Sequence, residues 1–418
     1  MTILNNIISL LEFDVINIIL TSNIIKVKNI QIKKMATKIR GKIFFFFFFI
    51  SVDIYYYSRK LSFKEKILFK GKKYLIKCLK GKLNKKIDKQ FVNPRVTIII
   101  PVYNCQSSIK QTIKSIQNQK IIDIEIMLVN DKSNDESLKI IKNIQKTDTR
   151  IKIINNKKNM GTLFSRCIGV LHSKGKYIFP LDNDDMFFDD DIINIIFEEA
   201  NNFNYDIVGF KGIKAYNYKE RISKFKDDIF AYNNNFTIYQ PKLSLFGISE
   251  KGRFKIKEAR IWSKCIKNSI YKKAINLLGK KRYSFYIVWA EDTSMLFVLL
   301  NVAESYRYIT RYGIFRLKRK NSACRIMPKY IKLFGEILSL DVFFDFSKND
   351  FESKKFVIYQ AIKIRKSSFI KSLNNNKYNE KTMVIIHYLK HTLKKIISCS
   401  YINKKDKVKL TISFKEFI

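Results

Sequence analysis

The sequence predicts an α/β fold, with a mostly parallel central sheet and a helical C-terminal extension. Three observations carry that expectation. From Pro94 onward, apolar runs of strand length alternate with segments whose apolar residues recur at helical spacing, the pattern of parallel βαβ units. Three of those runs end in polar residues: Tyr103-Asn104, Asn130-Asp131 and Asp182-Asn183-Asp184-Asp185. Strand ends of this kind are where open parallel sheets bind ligands. Beyond Met327 the chain reads as helix and becomes rich in lysine.

The elements follow in order. Arg95–Asn104, RVTIIIPVYN, is a buried-strand run. Ser107–Gln119 places Ile109, Ile113 and Ile116 on one helical face, and Ser107 or Ser108 can cap it. Asp123–Asp131 is a second strand, Asp135–Gln145 a second helix, and Arg150–Asn156 a third, short strand. Gly161–Lys174 is a third helix, and Gly175–Asp185 a fourth strand that runs into acid. The pattern loosens after Ala215, where Tyr216–Phe254 reads as loop with short strands. Ala259–Leu278 reads as turn and helix, Trp289–Ala303 as an apolar helix opened by two acids, and Ser305–Ser322 as strand. There is no internal repeat.

Three regions follow: a basic, low-complexity stretch at 1–93, an α/β domain at 94–325 whose halves are 94–215 and 216–325, and a basic helical extension at 326–418. Within the first, the apolar run Ile43–Ile50 reaches Tyr57 only by tolerating Ser51 and Asp53. Spanning a bilayer takes about 20 apolar residues, so the run is short, and basic residues flank it on both sides. A signal-anchor, an interfacial segment and an unfolded tract all remain open readings. If 43–57 anchors the chain, a Golgi or endoplasmic reticulum membrane setting follows; otherwise the protein is cytoplasmic. Residues 64–89 read as a linker or surface helix.

Lys and Arg number 80 against 36 Asp and Glu, a net charge of +44. The basic residues are spread along a chain equally thick with Ile, Asn, Phe and Tyr, so the excess is compositional. With no zinc-finger spacing or RNA-binding aromatic signature, specific nucleic-acid recognition is not expected. The 6 cysteines form no CxxC pair, which argues against a disulfide framework or a zinc site.

Against that basic background, FPLDNDDMFFDDD, Phe179–Asp191, holds 6 aspartates and no Lys or Arg. Two carboxylates one residue apart at a strand end can face one point, and hard divalent cations take oxygen ligands. Asp182 and Asp184 have that spacing. A turn without metal is the alternative. Asp189–Asp191 reads more simply as the acidic start of the next helix.

These segments, taken together, resemble family 2 glycosyltransferases of the GT-A fold. The resemblance runs through VTIIIPVYN, IEIMLVNDKSND, NMGTLFSRCIGVLHSKGKYIFPLDNDDMF and WAEDTSM, in order, over about Arg95 to Ser322. It implies a Rossmann-like GT-A domain that moves a sugar from a nucleotide-diphospho-sugar, a UDP-sugar foremost, to a glycan, lipid or protein hydroxyl. It assigns Pro101, Tyr103 and Asn104 to the nucleotide base, Asp131 to a hydrogen bond with it, and Arg166 to holding the nucleotide. Asn159 and Gly161 match the family's Asn-x-Gly. Asp182 and Asp184 match the DxD element, which meets the donor ribose and a divalent metal, Mn²⁺ or Mg²⁺. Asp184 is the first choice as metal ligand, with Asp182 and Asp185 as further ones. Asp292, in Glu291-Asp292, matches the catalytic base of an inverting transfer. Trp289 beside it offers a ring to an acceptor sugar, while Trp262 suits the core.

Two departures stand out. Asn130 replaces an Asp common in the family, and RLKRKNSACR has no late histidine to reach the metal, leaving Arg316, Lys318 or Arg319 to supply charge. They motivate an alternative: a sugar-nucleotide or glycan binding protein of the same fold that has lost turnover.

Overall fold

Residues 98, 100, 126 and 128 turn to one face of the sheet and residues 99, 127 and 129 to the other, because successive strand side chains alternate. Both faces are apolar here, so both must be covered. The computed structural model describes residues 94–215, 226–227, 232–242, 246–248, 254–256, 260–317, 327–347, 351–365, 380–400 and 402–414. The 43–57 run, the 64–89 segment, Lys318 and Arg319 lie outside them.

The strands β1 (Val96–Val102), β2 (Ile124–Asn130), β3 (Ile151–Asn155) and β4 (Tyr177–Pro180) alternate with α1 (Ile109–Gln117), α2 (Ser137–Gln145) and α3 (Thr162–His172). Then come β5 (Asp185–Phe187), α4 (Ile192–Asn202), β6 (Ile207–Ala215), β7 (Lys226–Asp227), β8 (Phe236–Tyr239), β9 (Phe246–Ile248) and β10 (Phe254–Ile256). The chain continues through β11 (Lys264–Lys267), α5 (Asn268–Leu278), α6 (Lys280–Tyr283), α7 (Glu291–Val302) and β12 (Ser305–Leu317). It closes with α8 (Lys329–Phe346), α9 (Phe351–Arg365), α10 (Glu380–Ser398) and α11 (Lys404–Ser413).

A 10-stranded sheet runs in the order β3-β2-β1-β4-β11-β6-β12-β5, with β7 on β6 and β8 on β12. The first four strands are parallel, as the alternation predicts. Beyond β4 the sheet is mixed: β11 runs antiparallel to both β4 and β6, and β12 is parallel to β6 but antiparallel to β5 and β8. β11 lies within Ala259–Leu278, which the sequence pattern predicts as turn and helix. The strand is four residues long and carries Lys264, which is fully buried. A charged residue in a short run hides the strand signal.

Helices α1 and α4 cover one sheet face through Ile109, Ile113, Ile116, Ile193 and Phe197. The other face receives Leu163, Cys167 and Val170 of α3, then α5 and α7. Leu333, Ile337, Phe343, Phe356, Leu389 and Leu410 of α8 to α11 join that same core. The C-terminal helices are therefore part of one hydrophobic core with the sheet.

Among the described residues, no helix is long and apolar enough to cross a membrane.

Candidate functional site

The register of the parallel strands sets the site. Val102 lies opposite Asn130, Asn130 opposite Asn155, and Ile99 opposite Pro180, so these strands end along one edge. Because β2 and β3 lie on one side of β1 and β4 on the other, the strand order reverses between β1 and β4. That switch point is where open α/β sheets leave a crevice. Tyr103 and Asn104 follow β1 there, Asp131 follows β2, and DNDD follows β4.

The middle residue of Asp182-Asn183-Asp184 fixes the acidic turn. Asn183 Nδ2 donates to the Pro101 carbonyl at 2.9 Å, while its own carbonyl accepts from Ser108 Oγ at 2.9 Å and Thr112 Oγ1 at 3.1 Å. With Asn183 tied inward, Asp182 and Asp184 flank it, both half-buried. Ser108 occupies the N-cap position of α1 yet makes no side-chain cap; its hydroxyl holds the acidic turn instead. Asp185, expected as a further metal ligand, is the first residue of β5 and 1% exposed, so Asp182 and Asp184 are the carboxylates at the edge. Asp191 occupies the N-cap position of α4, but its side chain makes no capping bond. Gln119 reaches across instead and accepts from the Ile193 amide at 3.2 Å.

Asp131 serves the fold directly. One carboxylate oxygen accepts from Asn156 Nδ2 and the Met160 amide, each at 2.8 Å, and the other accepts from the Gly161 amide at 2.7 Å. Those bonds draw the Asn159–Gly161 turn onto the end of β2. Gly161 has φ of 89°, and a Cβ there would lie 2.9 Å from the Ile287 carbonyl oxygen, so both conformation and space call for glycine. Asn130 bonds Asn155 Oδ1 and the Ser133 amide, a turn-holding role that accounts for an amide at that position. Asn104, at φ of 45°, accepts from the Asn134 amide at 2.9 Å. Tyr103 is 40% exposed, and Pro101 is buried within β1.

Arg166 stands at the centre. It projects from α3 and is 4% exposed. Nη2 donates to Asp182 Oδ1 at 2.5 Å, Nη1 donates to Asp292 Oδ1 at 2.5 Å, and Glu291 Oε1 lies 3.6 Å away. Burial alone works against its charge, but the carboxylates of Asp292, Asp182 and Glu291 outweigh that and raise its pKa. Burial, with the Asp292 charge beside it, pushes Glu291 up to about 8 against the opposing pull of Arg166. Asp292 is raised too, by burial above all, with Arg166 opposing.

The start of α7, which carries these acids, is held from below. Ala290, the N-cap of α7, has φ of 59°, a strained value for a residue with a side chain. Its carbonyl accepts from Ser294 Oγ at 3.2 Å and from Ser339 Oγ of α8 at 3.3 Å. A Cβ on Gly335 would lie 2.0 Å from the Trp289 carbonyl oxygen, so α8 packs against the residues before α7 with no room for a methyl group. Trp289 donates to Glu336, and Lys332 Nζ sits 5.0 Å from its ring centre, so one ring face is already taken. Trp262 is buried, as expected, between the guanidinium groups of Arg260 and Arg316 at 5.0 and 5.2 Å.

Among the described residues, no three His, Cys, Asp or Glu side chains converge as a metal-binding group. The donors that do stand at the edge, Asp182 and Asp184, suit a cation that takes one or two carboxylates and completes its shell with phosphate oxygens.

Sequence reading missed Asn183, Gly335, Ser339 and Tyr286, which is 45% exposed beside Ile287. Asn183 lay in plain view as the middle of the acidic triplet, whereas Gly335 and Ser339 carry no local signal.

Residues 97–258 match the family model described as glycosyl transferase family 2. An uncharacterized glycosyltransferase of Rickettsia bellii is 32% identical over 120 residues, 28% of this chain and 17% of that protein. One of Haemophilus influenzae is 39% identical over 97 residues, 23% of this chain and 39% of that protein. The chain thus spans well under half the length of these curated relatives. In fold it is similar to the crystal structure of S. aureus TarS 1–349 in complex with UDP-GlcNAc: TM-score 0.53, 13% identity, covering 76% of this chain and 87% of that one.

Proposed function

From the premise that residues 97–258 form a family 2 glycosyltransferase domain of GT-A fold, we propose that the protein is an inverting, metal-dependent glycosyltransferase. Its donor is a nucleotide-diphospho-sugar, a UDP-sugar first among them, and its acceptor a hydroxyl of a glycan, lipid or protein. The observation that carries this reading is the Arg166 guanidinium, which hydrogen-bonds both Asp182 of the acidic turn and Asp292. The donor element and the candidate base are thereby separated by a single side chain.

In this reading Tyr103 faces the base, and Asp182 and Asp184 are the residues that would hold a divalent cation. The cation's contribution is to neutralise the departing nucleoside diphosphate. Asp292 takes the proton of the acceptor hydroxyl as its oxygen bonds to the anomeric carbon and the bond to the diphosphate breaks on the opposite face. Arg166 holds Asp292 at a fixed distance from the donor edge and favours its ionised form. Glu291, raised to about 8, is a carboxylate that stays largely protonated near neutrality. The binding-only alternative loses part of its motive, since Asn130 has a structural role.

The test is to incubate the protein with Mn²⁺ and a panel of UDP- and GDP-sugars, and to follow nucleoside diphosphate release, with Asp292→Asn alongside. Release by the wild type alone is expected. No release with any donor, or equal release by the variant, would overturn the reading.

A further inference from the structure

Aromatic rings are costly to leave in water and are usually buried. Yet two tyrosines stand open on one edge of this molecule, Tyr103 at 40% and Tyr286 at 45% exposure. They come from segments far apart in sequence, and backbone contacts bring both to Asp131. On one side, the Asp131 amide donates to the carbonyl of Val102, the residue before Tyr103, at 2.8 Å. On the other, Asp131 accepts from the Gly161 amide at 2.7 Å, and Gly161 packs against the backbone of Ile287, the residue after Tyr286. Burial first, and then the nearness of Tyr103, Asp131 and Tyr330, raise the pKa of the Tyr286 hydroxyl.

We propose that Tyr286 is the second wall of the nucleobase slot, with Tyr103 the first and Asp131 between them. A planar base entering there meets an aromatic group from each side. Stacking of this kind is tolerant of base identity, because every base has a π-face. The slot has a further consequence. Tyr286 lies on the segment that leads into Glu291-Asp292, so a base bound against it ties the donor to the strand of chain that carries the candidate catalytic base.

This inference rests on the donor reading above. It is tested on the full chain by titrating UDP, GDP and inorganic pyrophosphate, with Mn²⁺ present, into wild type, Tyr286→Phe and Tyr286→Ala. Phe keeps the ring and should bind UDP as the wild type does. Ala should bind UDP roughly tenfold more weakly, the scale of one lost stacking partner, with pyrophosphate affinity unchanged. The donor KM should rise with kcat retained. If wild type binds UDP or GDP and Tyr286→Ala binds them equally tightly, or loses pyrophosphate to the same degree, the slot is wrong while the donor reading stands. If wild type binds neither nucleotide, the donor reading falls and the slot with it.

Discussion

The two halves of the site are held in different ways. The strand-end edge, the donor side in the proposed function, is fixed by the register of β1, β2 and β4 and by bonds at their ends, such as Asn183 to Pro101 and Asp131 to Gly161. Its parts are compact and polar. The first turn of α7, bearing Glu291 and Asp292, is held by a strained N-cap at Ala290 and, from α8, by the Ser339 hydroxyl and the close approach of Gly335. One half is built by a sheet, and the other is pressed into place by a helix that joins the core much later in the chain. Arg166 is the side chain that links them.

The largest effect should come from Asp292→Asn. Removing a general base typically costs roughly a hundredfold or more in turnover, and donor affinity should hold because Asn keeps an oxygen to accept from Arg166, which also bonds Asp182. Arg166→Lys comes next. A single ammonium cannot reproduce the fork that meets Asp182 and Asp292, so both kcat and donor KM should worsen, by about tenfold in kcat/KM. A change in only one of the two constants would show that the halves are less tightly joined than the geometry implies.

Gly335→Ala separates the halves cleanly. Its new methyl would press on the Trp289 carbonyl, and overpacking of this kind costs about 1–3 kcal/mol. A lower melting temperature and reduced kcat are expected, with UDP affinity preserved. Asn183→Ala should do the reverse: roughly a fivefold rise in donor KM, the scale of one ordinary hydrogen bond, and little change in kcat.

A further effect is a pH dependence of stability. Burial raises the pKa of Glu291 from 4.5 to about 8, so its neutral form is favoured in the folded state. The stability it supplies is fully present below the unfolded value and is lost as pH rises through about 8. Melting scans across that window should show the wild type declining with pH and Glu291→Gln declining less. Identical slopes would place the proton elsewhere.

The strand-end half of the site was largely legible in the sequence. VTIIIPVYN and IEIMLVND announce their strands by length and by mostly apolar content despite Thr97 and Glu125, and parallel pairing then brings the ends of β1, β2 and β4 to one edge. What resisted reading depended on partners distant in the chain. The donation from Ser108 Oγ to Asn183 rather than to its own helix is set by tertiary contact, and so is the capping of α4 by Gln119. Strand β11 stayed hidden because Lys264 breaks its apolar pattern. Arg166 was read as a nucleotide contact from its place in SRC, but its bridge to Asp292 spans 126 residues, and no local pattern encodes that.

The packing of Gly335 beneath Trp289 has a consequence for recombination. The stretch recognisable by family resemblance, 97–258, is a tempting cassette to transplant between hosts. Moved alone, it would leave behind Tyr286 and Ile287 beside the base edge, the first turn of α7 with Asp292, and the helix that shapes it. On the proposed function, the smallest portable unit in this chain therefore runs at least from β1 through α8, and chimaeras should be cut with Gly335 and Trp289 drawn from the same parent.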